Sequence, residues 1–178
     1  MPKHSLSREE TECLRGCSTY PQYHKMREGF ENEVCPFCIV NRKLNEILYE
    51  GDYWVAWKVP PALTTRQSTL DLQIVFFPKY HARHLNDLTI NEREEYWKVI
   101  DWVYKKFKIR GGAFFTRVGD MRYNVGTVPH LHFNLYVPNR EGEVIIPLQK
   151  SKEMWAEHDL RMQSFAKRYE MSEVPEEI

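Results

Sequence analysis

Between residues 129 and 138 the chain reads PHLHFNLYVP. Leu131, Phe133, Leu135 and Val137 take one set of alternate positions, and His130, His132, Asn134 and Tyr136 take the other. Strand side chains point to opposite faces with a period of two, so this segment predicts a half-buried strand with one oily face and one face of imidazoles. Thr, Ser or Lys would solvate such a face equally well, so nitrogen ligands there raise the question of chemistry. Elsewhere, EILYEGDYWVAWKV predicts two short strands around a Gly51-Asp52 turn, and LDLQIVFFPKYH predicts a third that stops at Pro78. AFFTRV predicts a strand paired with 129–138 through the loop GDMRYNVGT, and EVIIPL a shorter one after the turn at Asn139 to Gly142.

The period changes in TINEREEYWKVIDWVYKKFKIRGG. Tyr96, Trp97, Ile100, Val103, Tyr104 and Phe107 recur at helical spacing, and Gly111-Gly112 supplies a stop. KEMWAEHDLRMQSFAKRYE puts Trp155, His158, Met162, Phe165 and Tyr169 on one stripe, followed by a frayed acidic EVPEEI. Residues 1–34 show no sustained period and read as an N-terminal extension. The domain is then 35–150, with a C-terminal helix and acidic tail over 151–178. Strands, helix, strands, helix in that order predict an α+β domain with helices packed on a meandering, largely antiparallel sheet.

Composition narrows the function classes. The 178 residues carry 25 Lys plus Arg against 25 Asp plus Glu, so no global field favours nucleic acid or an anionic membrane. Any phosphate recognition must come from a local cluster, and small anionic ligands are favoured over polymers. No apolar run approaches the roughly 20 residues that span a bilayer, and the N-terminus lacks a signal-peptide core, so a cytoplasmic protein is expected.

In that compartment the four cysteines read as thiols or metal ligands before disulfides. Cys35-Pro36-Phe37-Cys38 precedes strands rather than opening a helix of a βαβ unit, which disfavours a redox pair. For zinc two further ligands are needed, and His81, His84, His130 and His132 are the candidates. A rival arrangement would use Cys13, Cys17, Cys35 and Cys38 as an all-cysteine site. Trp54, Trp57 and Phe77 can wall a base pocket, although strand aromatics are more often core.

Taken together, CPFC, ILYEGDYWVAWK, LQIVFFPKYHARHLNDL, the helix and GTVPHLHFNLYVP resemble the histidine-triad (HIT) superfamily of nucleotidyl hydrolases and transferases, in its order and near its spacings, over residues 35 to about 138. The resemblance implies a HIT-like fold, a five-stranded antiparallel sheet with the long helix and the C-terminal helix packed on it. It implies that His132 is a nucleophile forming a covalent nucleotidyl-histidine on an α-phosphorus, which a neutral imidazole can do near neutral pH. It also implies a structural zinc on Cys35, Cys38, His81 and His130, closed by four protein ligands. Thr127 falls where a Ser or Thr commonly binds the α-phosphate, the backbone at Gly126 can approach the anion closely, and Arg117 and Arg122 are candidates for neutralising further phosphates.

Two departures qualify the resemblance. The signature His-x-His-x-His reads His130-Leu131-His132-Phe133-Asn134, and a carboxamide at the third place tilts the expectation towards nucleotidyl transfer. Ala56-Trp57 is followed by Lys58, Val59 and Pro60 rather than by the usual ribose-binding Asp. The expected function is nucleotide hydrolysis or nucleotidyl transfer on a nucleotide substrate. The alternative is a catalytically weak, zinc-stabilised nucleotide-binding module. No membrane and no nucleic acid are expected as partners, and a homodimer through the long helix and sheet edge is in keeping with related domains.

Overall fold

The computed structural model describes residues 5–39, 46–60, 63, 69–124 and 126–171. Strands β1 (Ile47–Glu50), β2 (Trp54–Lys58), β3 (Leu70–Pro78), β4 (Ala113–Arg117) and β5 (His132–Pro138) form one antiparallel sheet in the order β1-β2-β3-β5-β4. The helices are α1 (Arg8–Arg15), α2 (Tyr20–Glu31), α3 (Ile90–Phe107) and α4 (Lys152–Glu170). The acidic tail EVPEEI lies outside the described residues. Among the described residues no helix is long and apolar enough to cross a membrane.

Both faces of the sheet are buried, which is why WVAW of β2 and IVFF of β3 read as continuous apolar runs. Trp54, Ala56, Ile74 and Phe76 join Leu131 and Leu135 against Val99 and Val103 of α3. Val55, Trp57, Val75 and Phe77 face the other way, against Cys13 and Leu14 of α1 and Tyr23, Met26 and Phe30 of α2. The stripe of α4 lies over α2, with Phe165 against Tyr20 and Tyr23 and Tyr169 against Tyr23 and His24. The polar set of β5 therefore sits beneath a helical layer. It is not the solvated face of a half-buried strand, because α1 and α2 cover it.

Those two helices form where the sequence shows no sustained period. Their end signals are present: Ser7 and Glu10 make a reciprocal capping box, and Thr19 caps α2 ahead of Pro21. An eight-residue helix is too short to display a stripe, which is why α1 escapes a periodicity reading. Three further expectations differ in detail. EVIIPL is irregular, since Pro147 cannot donate to a ladder and its carbonyl instead accepts from Arg117 Nη2 at 2.9 Å. Helix α3 ends at the left-handed Lys108, ahead of Gly111, and Trp97 is exposed rather than on the buried stripe. Strand β5 starts at His132, because Leu131 N–H is already committed to the Ala82 carbonyl.

Helix α3 is pinned to the sheet through its acidic residues. Trp54 Nε1 donates to the Glu92 carbonyl at 2.7 Å, and the buried Glu95 carboxylate accepts the backbone N–H groups of Tyr53 and Trp54. A Cβ at Gly51 would collide with that carboxylate, so the turn glycine is a steric requirement. Glu95→Ala orphans buried donors and is expected to lower unfolding free energy by about 2 kcal/mol, with Glu95→Gln costing less. Denaturant titration checks this, and equal stability of Glu95→Ala and wild type would contradict it.

Candidate functional site

The segment after α2 folds Cys35 and Cys38 back against the sheet. Phe37 between them stacks on Phe77 at 4.5 Å and meets His132 edge-on at 5.2 Å. One ligand atom from each of Cys35, Cys38, His81 and His130 lies within 4.8 Å of the others, a group able to hold a metal ion. Cys35 Sγ and Cys38 Sγ stand 3.4 and 3.6 Å from His130 Nδ1, and Cys38 Sγ stands 3.5 Å from His81 Nδ1. Tetrahedral zinc with Zn–S of ~2.3 Å and Zn–N of ~2.05 Å requires S···N edges of about 3.6 Å. The set fits such an ion. Ring orientation agrees: His130 Nε2–H donates to the Pro78 carbonyl at 3.0 Å, which leaves the Nδ1 lone pair facing the sulfurs.

The all-cysteine arrangement is not what the fold builds. Cys13 and Cys17 are buried in the apolar core with thiol pKa values raised by that burial, and neither belongs to the ligand group. His84 caps the short turn Leu85–Asp87 instead.

His132 opens β5 on the face beneath α1 and α2 and is 9 % exposed. Its Nδ1 lies 2.7 Å from the His130 carbonyl, so Nδ1 carries the proton and Nε2 the free lone pair. Burial lowers its pKa to about 4; the His130 carbonyl opposes this and Arg117 adds to it. The ring is neutral at physiological pH. Two residues on, Asn134 Oδ1 accepts from Gln73 Nε2 at 3.3 Å, which leaves the Asn134 Nδ2 hydrogens to donate elsewhere. Cross-strand pairing aligns Asn134 with Val75, and Val75 with Trp57, in one row on this face.

Two cavities meet at these residues and share a wall of Gln22, Gln73, Thr127, His132 and Asn134. The first, about 120 Å³, is lined by Phe37, Trp57 and Val75, with Lys25 Nζ 5.0 Å from the Trp57 ring. Buried Trp57 Nε1 and Gln73 Oε1 have no hydrogen-bond partner among the described residues. The second, about 480 Å³, extends towards α4 and includes Arg117, Lys150, His158 and Arg161.

Of the residues singled out from the sequence, His132, Asn134, Thr127, Trp57 and Arg117 come together at these cavities. Gly126 and Arg122 do not line them. Gly126 N–H is taken by Asn124, and a Cβ there would strike Met121 Sδ, so packing requires a glycine at this position. Arg122 pairs at the surface with Asp120. The residues missed are Gln22 and Lys25 of α2, Gln73 of β3, and Lys150, His158 and Arg161. Gln22 Nε2 donates to Thr127 Oγ1 at 3.3 Å. Their only signal was the i, i+3 spacing of Gln22 and Lys25 on a helix that shows no sustained period in the sequence.

No protein-family model matches the sequence, and no curated protein does. Solved structures with a similar chain path include a HIT family hydrolase from Clostridium thermocellum, 24% identical over 63% of this chain and 96% of that one, with a TM-score of 0.47. A hypothetical histidine triad nucleotide-binding protein from Sulfolobus tokodaii is 22% identical over 75% and 93%, with a TM-score of 0.45. The histidine triad nucleotide-binding protein from Candida albicans is 18% identical over 75% and 98%, with a TM-score of 0.47. At these identities and scores the likenesses decide nothing about chemistry, which is left to the side chains.

Thiol labelling tests the partition of the cysteines. In metal-stripped, folded protein a maleimide is expected to modify Cys38, which is exposed, and to spare Cys13 and Cys17. Mass spectrometry of the labelled peptides showing Cys13 and Cys17 modified as fast as Cys38 would contradict the buried placement.

Proposed function

We propose that the protein is a histidine-triad-like nucleotide hydrolase or nucleotidyltransferase that works through a covalent nucleotidyl-histidine on His132. One observation carries the reading: Nδ1 of a buried His132 is held by the His130 carbonyl, so Nε2 is the unprotonated nitrogen in a ring that cannot rotate freely. In the first step the Nε2 lone pair forms an N–P bond while the P–O bond to the leaving group breaks, the electron pair departing with that oxygen. The ring becomes cationic, and the His130 carbonyl stabilises its Nδ1–H. In the second step water or another acceptor attacks phosphorus and gives up a proton, and the N–P electron pair returns to Nε2. Asn134 and Thr127, which line the cavity beside His132, are assigned to hydrogen-bond the phosphoryl oxygens, with Arg117 of the same lining adding positive charge. Trp57 lines the pocket assigned to the base.

Cys35, Cys38, His81 and His130 are assigned to a structural zinc, which when bound clamps the Cys35–Cys38 loop to the residue whose carbonyl orients His132. Four protein ligands leave no open position, so the zinc takes no part in the bond changes.

A second reading, a weakly catalytic nucleotide-binding module, is favoured by one observation. No carboxylate lines either cavity among the described residues, so the ribose contact expected after Trp57 has no replacement there. Asn134→His separates the two: activity that first emerges in this variant would identify a degenerate enzyme, whereas turnover already present in the wild type supports the first reading.

Incubation with nucleotide substrates and an alkaline quench should add a nucleotidyl mass to the peptide containing His132. His132→Asn should abolish the adduct and lower turnover on the order of 10³-fold or more. Full turnover by His132→Asn would overturn the enzyme reading. Elemental analysis should find one zinc per chain, lost in Cys38→Ser and retained in Cys13→Ala/Cys17→Ala. The converse pattern would contradict the ligand assignment.

A further inference from the structure

Thr127 stands on a stretch without regular secondary structure ahead of β5, so no ladder or helix of its own fixes the direction of its hydroxyl. What fixes it comes from the other end of the chain. Gln22 Nε2 donates to Thr127 Oγ1 at 3.3 Å, and the Thr127 methyl packs against the end of α1, where a Cβ on Gly16 would stand 3.0 Å from Thr127 Cγ2. Both contacts are made by residues of the N-terminal segment 1–34, outside the span that resembles the histidine-triad superfamily.

The polarity of the first contact is set by the backbone. Ser18 N–H, which can only donate, reaches Gln22 Oε1 at 2.9 Å, so the other end of that amide is the NH2 group and Thr127 Oγ1 accepts from it. A threonine hydroxyl has one proton and two lone pairs. With a lone pair engaged by Gln22 the proton is left to be donated, and among the described residues no protein group accepts it. Gln22 is itself held, because Thr19 Oγ1 accepts its backbone N–H at 3.3 Å and the buried Tyr23 and Met26 anchor α2 on the sheet. Gln22 and Thr127 line both cavities together with His132 and Asn134.

We propose that Gln22 is a positioning residue: by donating to Thr127 Oγ1 it turns the Thr127 hydroxyl proton into the cavity, where a phosphoryl oxygen of the substrate receives it as a hydrogen bond. This rests on the reading of the cavity as a nucleotide site, and not on His132 being the nucleophile. Gln22 makes and breaks no bond. Its effect is that the hydroxyl meets the phosphoryl group already aimed, so no reorientation is needed as negative charge builds on the oxygens.

The test is a double-mutant cycle on the full chain, with adenosine and uridine 5′-monophosphates as probes and calorimetry as the readout. Gln22→Met and Thr127→Val should each weaken binding about fivefold or more. The double variant should bind within about twofold of Thr127→Val alone, because without the hydroxyl Gln22 has nothing to aim. A merely structural role for Gln22 would make the two losses multiply, and that result would overturn the proposal. Gln22→Glu keeps the contact with Ser18 but turns an acceptor towards Thr127, and should weaken binding at least as much as Gln22→Met. Wild-type affinity in either variant, or binding of neither probe by the wild type, would also overturn it. His132→Asn should show the same non-additivity, which separates the two readings. A missing covalent adduct with the cycle intact sinks the nucleophile alone, and an adduct formed at the wild-type rate in Gln22→Met sinks the positioning role alone.

Discussion

Everything at this site turns on the two hydrogen bonds of His130. Its ring donates from Nε2 to the Pro78 carbonyl, which turns Nδ1 towards Cys35 and Cys38. Its own backbone carbonyl accepts from His132 Nδ1, which leaves Nε2 of the next ring in the strand as the free base. One residue thus helps set the Cys/His group able to hold a metal ion with its side chain, and the tautomer of the His132 ring with its main chain. Because β5 begins only at His132, the carbonyl of His130 is available for this contact rather than tied into the ladder.

The second constraint is burial. His132 and Asn134 lie among apolar neighbours under α1 and α2, where a neutral imidazole and a paired amide are tolerated but an unpaired charge is not. Phe37 links the two parts, lying between the two cysteines in sequence, stacked on Phe77 and edge-on to His132. A loosened Cys35–Cys38 loop would therefore reach the His132 ring through packing as well as through His130. Of the cations at the two cavities, Lys25 stands beside Trp57 in the first, and Arg117, Lys150 and Arg161 stand in the second, on the side facing α4.

Much of this was legible in the sequence, for stated physical reasons. Alternation in residues 129–138 identified a strand with one apolar and one polar face, the patterns and turns pointed to a largely antiparallel α+β sheet, and the α3 pattern located the long helix. Cys35, Cys38, His81 and His130 came together as one set only through the resemblance, since residue type and spacing alone left His84 and His132 as equal candidates. What escaped was long-range: Gln22, Lys25, Lys150 and Arg161 reach the site from helices or segments far away in sequence, and no local period advertises that. Gly126 and Arg122 stand outside the cavity lining: Gly126 packs beside Met121 and Arg117, and Arg122 turns to Asp120 at the surface. The strand read into EVIIPL failed because a short apolar run containing proline is no stronger as a strand than as irregular chain.

The central claim is that His132 is a neutral ring protonated at Nδ1. Long-range proton–nitrogen NMR on selectively labelled histidine, in the metal-loaded protein near neutral pH, reads the tautomer directly. The account predicts for His132 a protonated, hydrogen-bonded Nδ1 and a bare Nε2, and a shift to an averaged pattern when the Cys35–Cys38 loop is disrupted. A proton resident on Nε2, or an imidazolium, would contradict it.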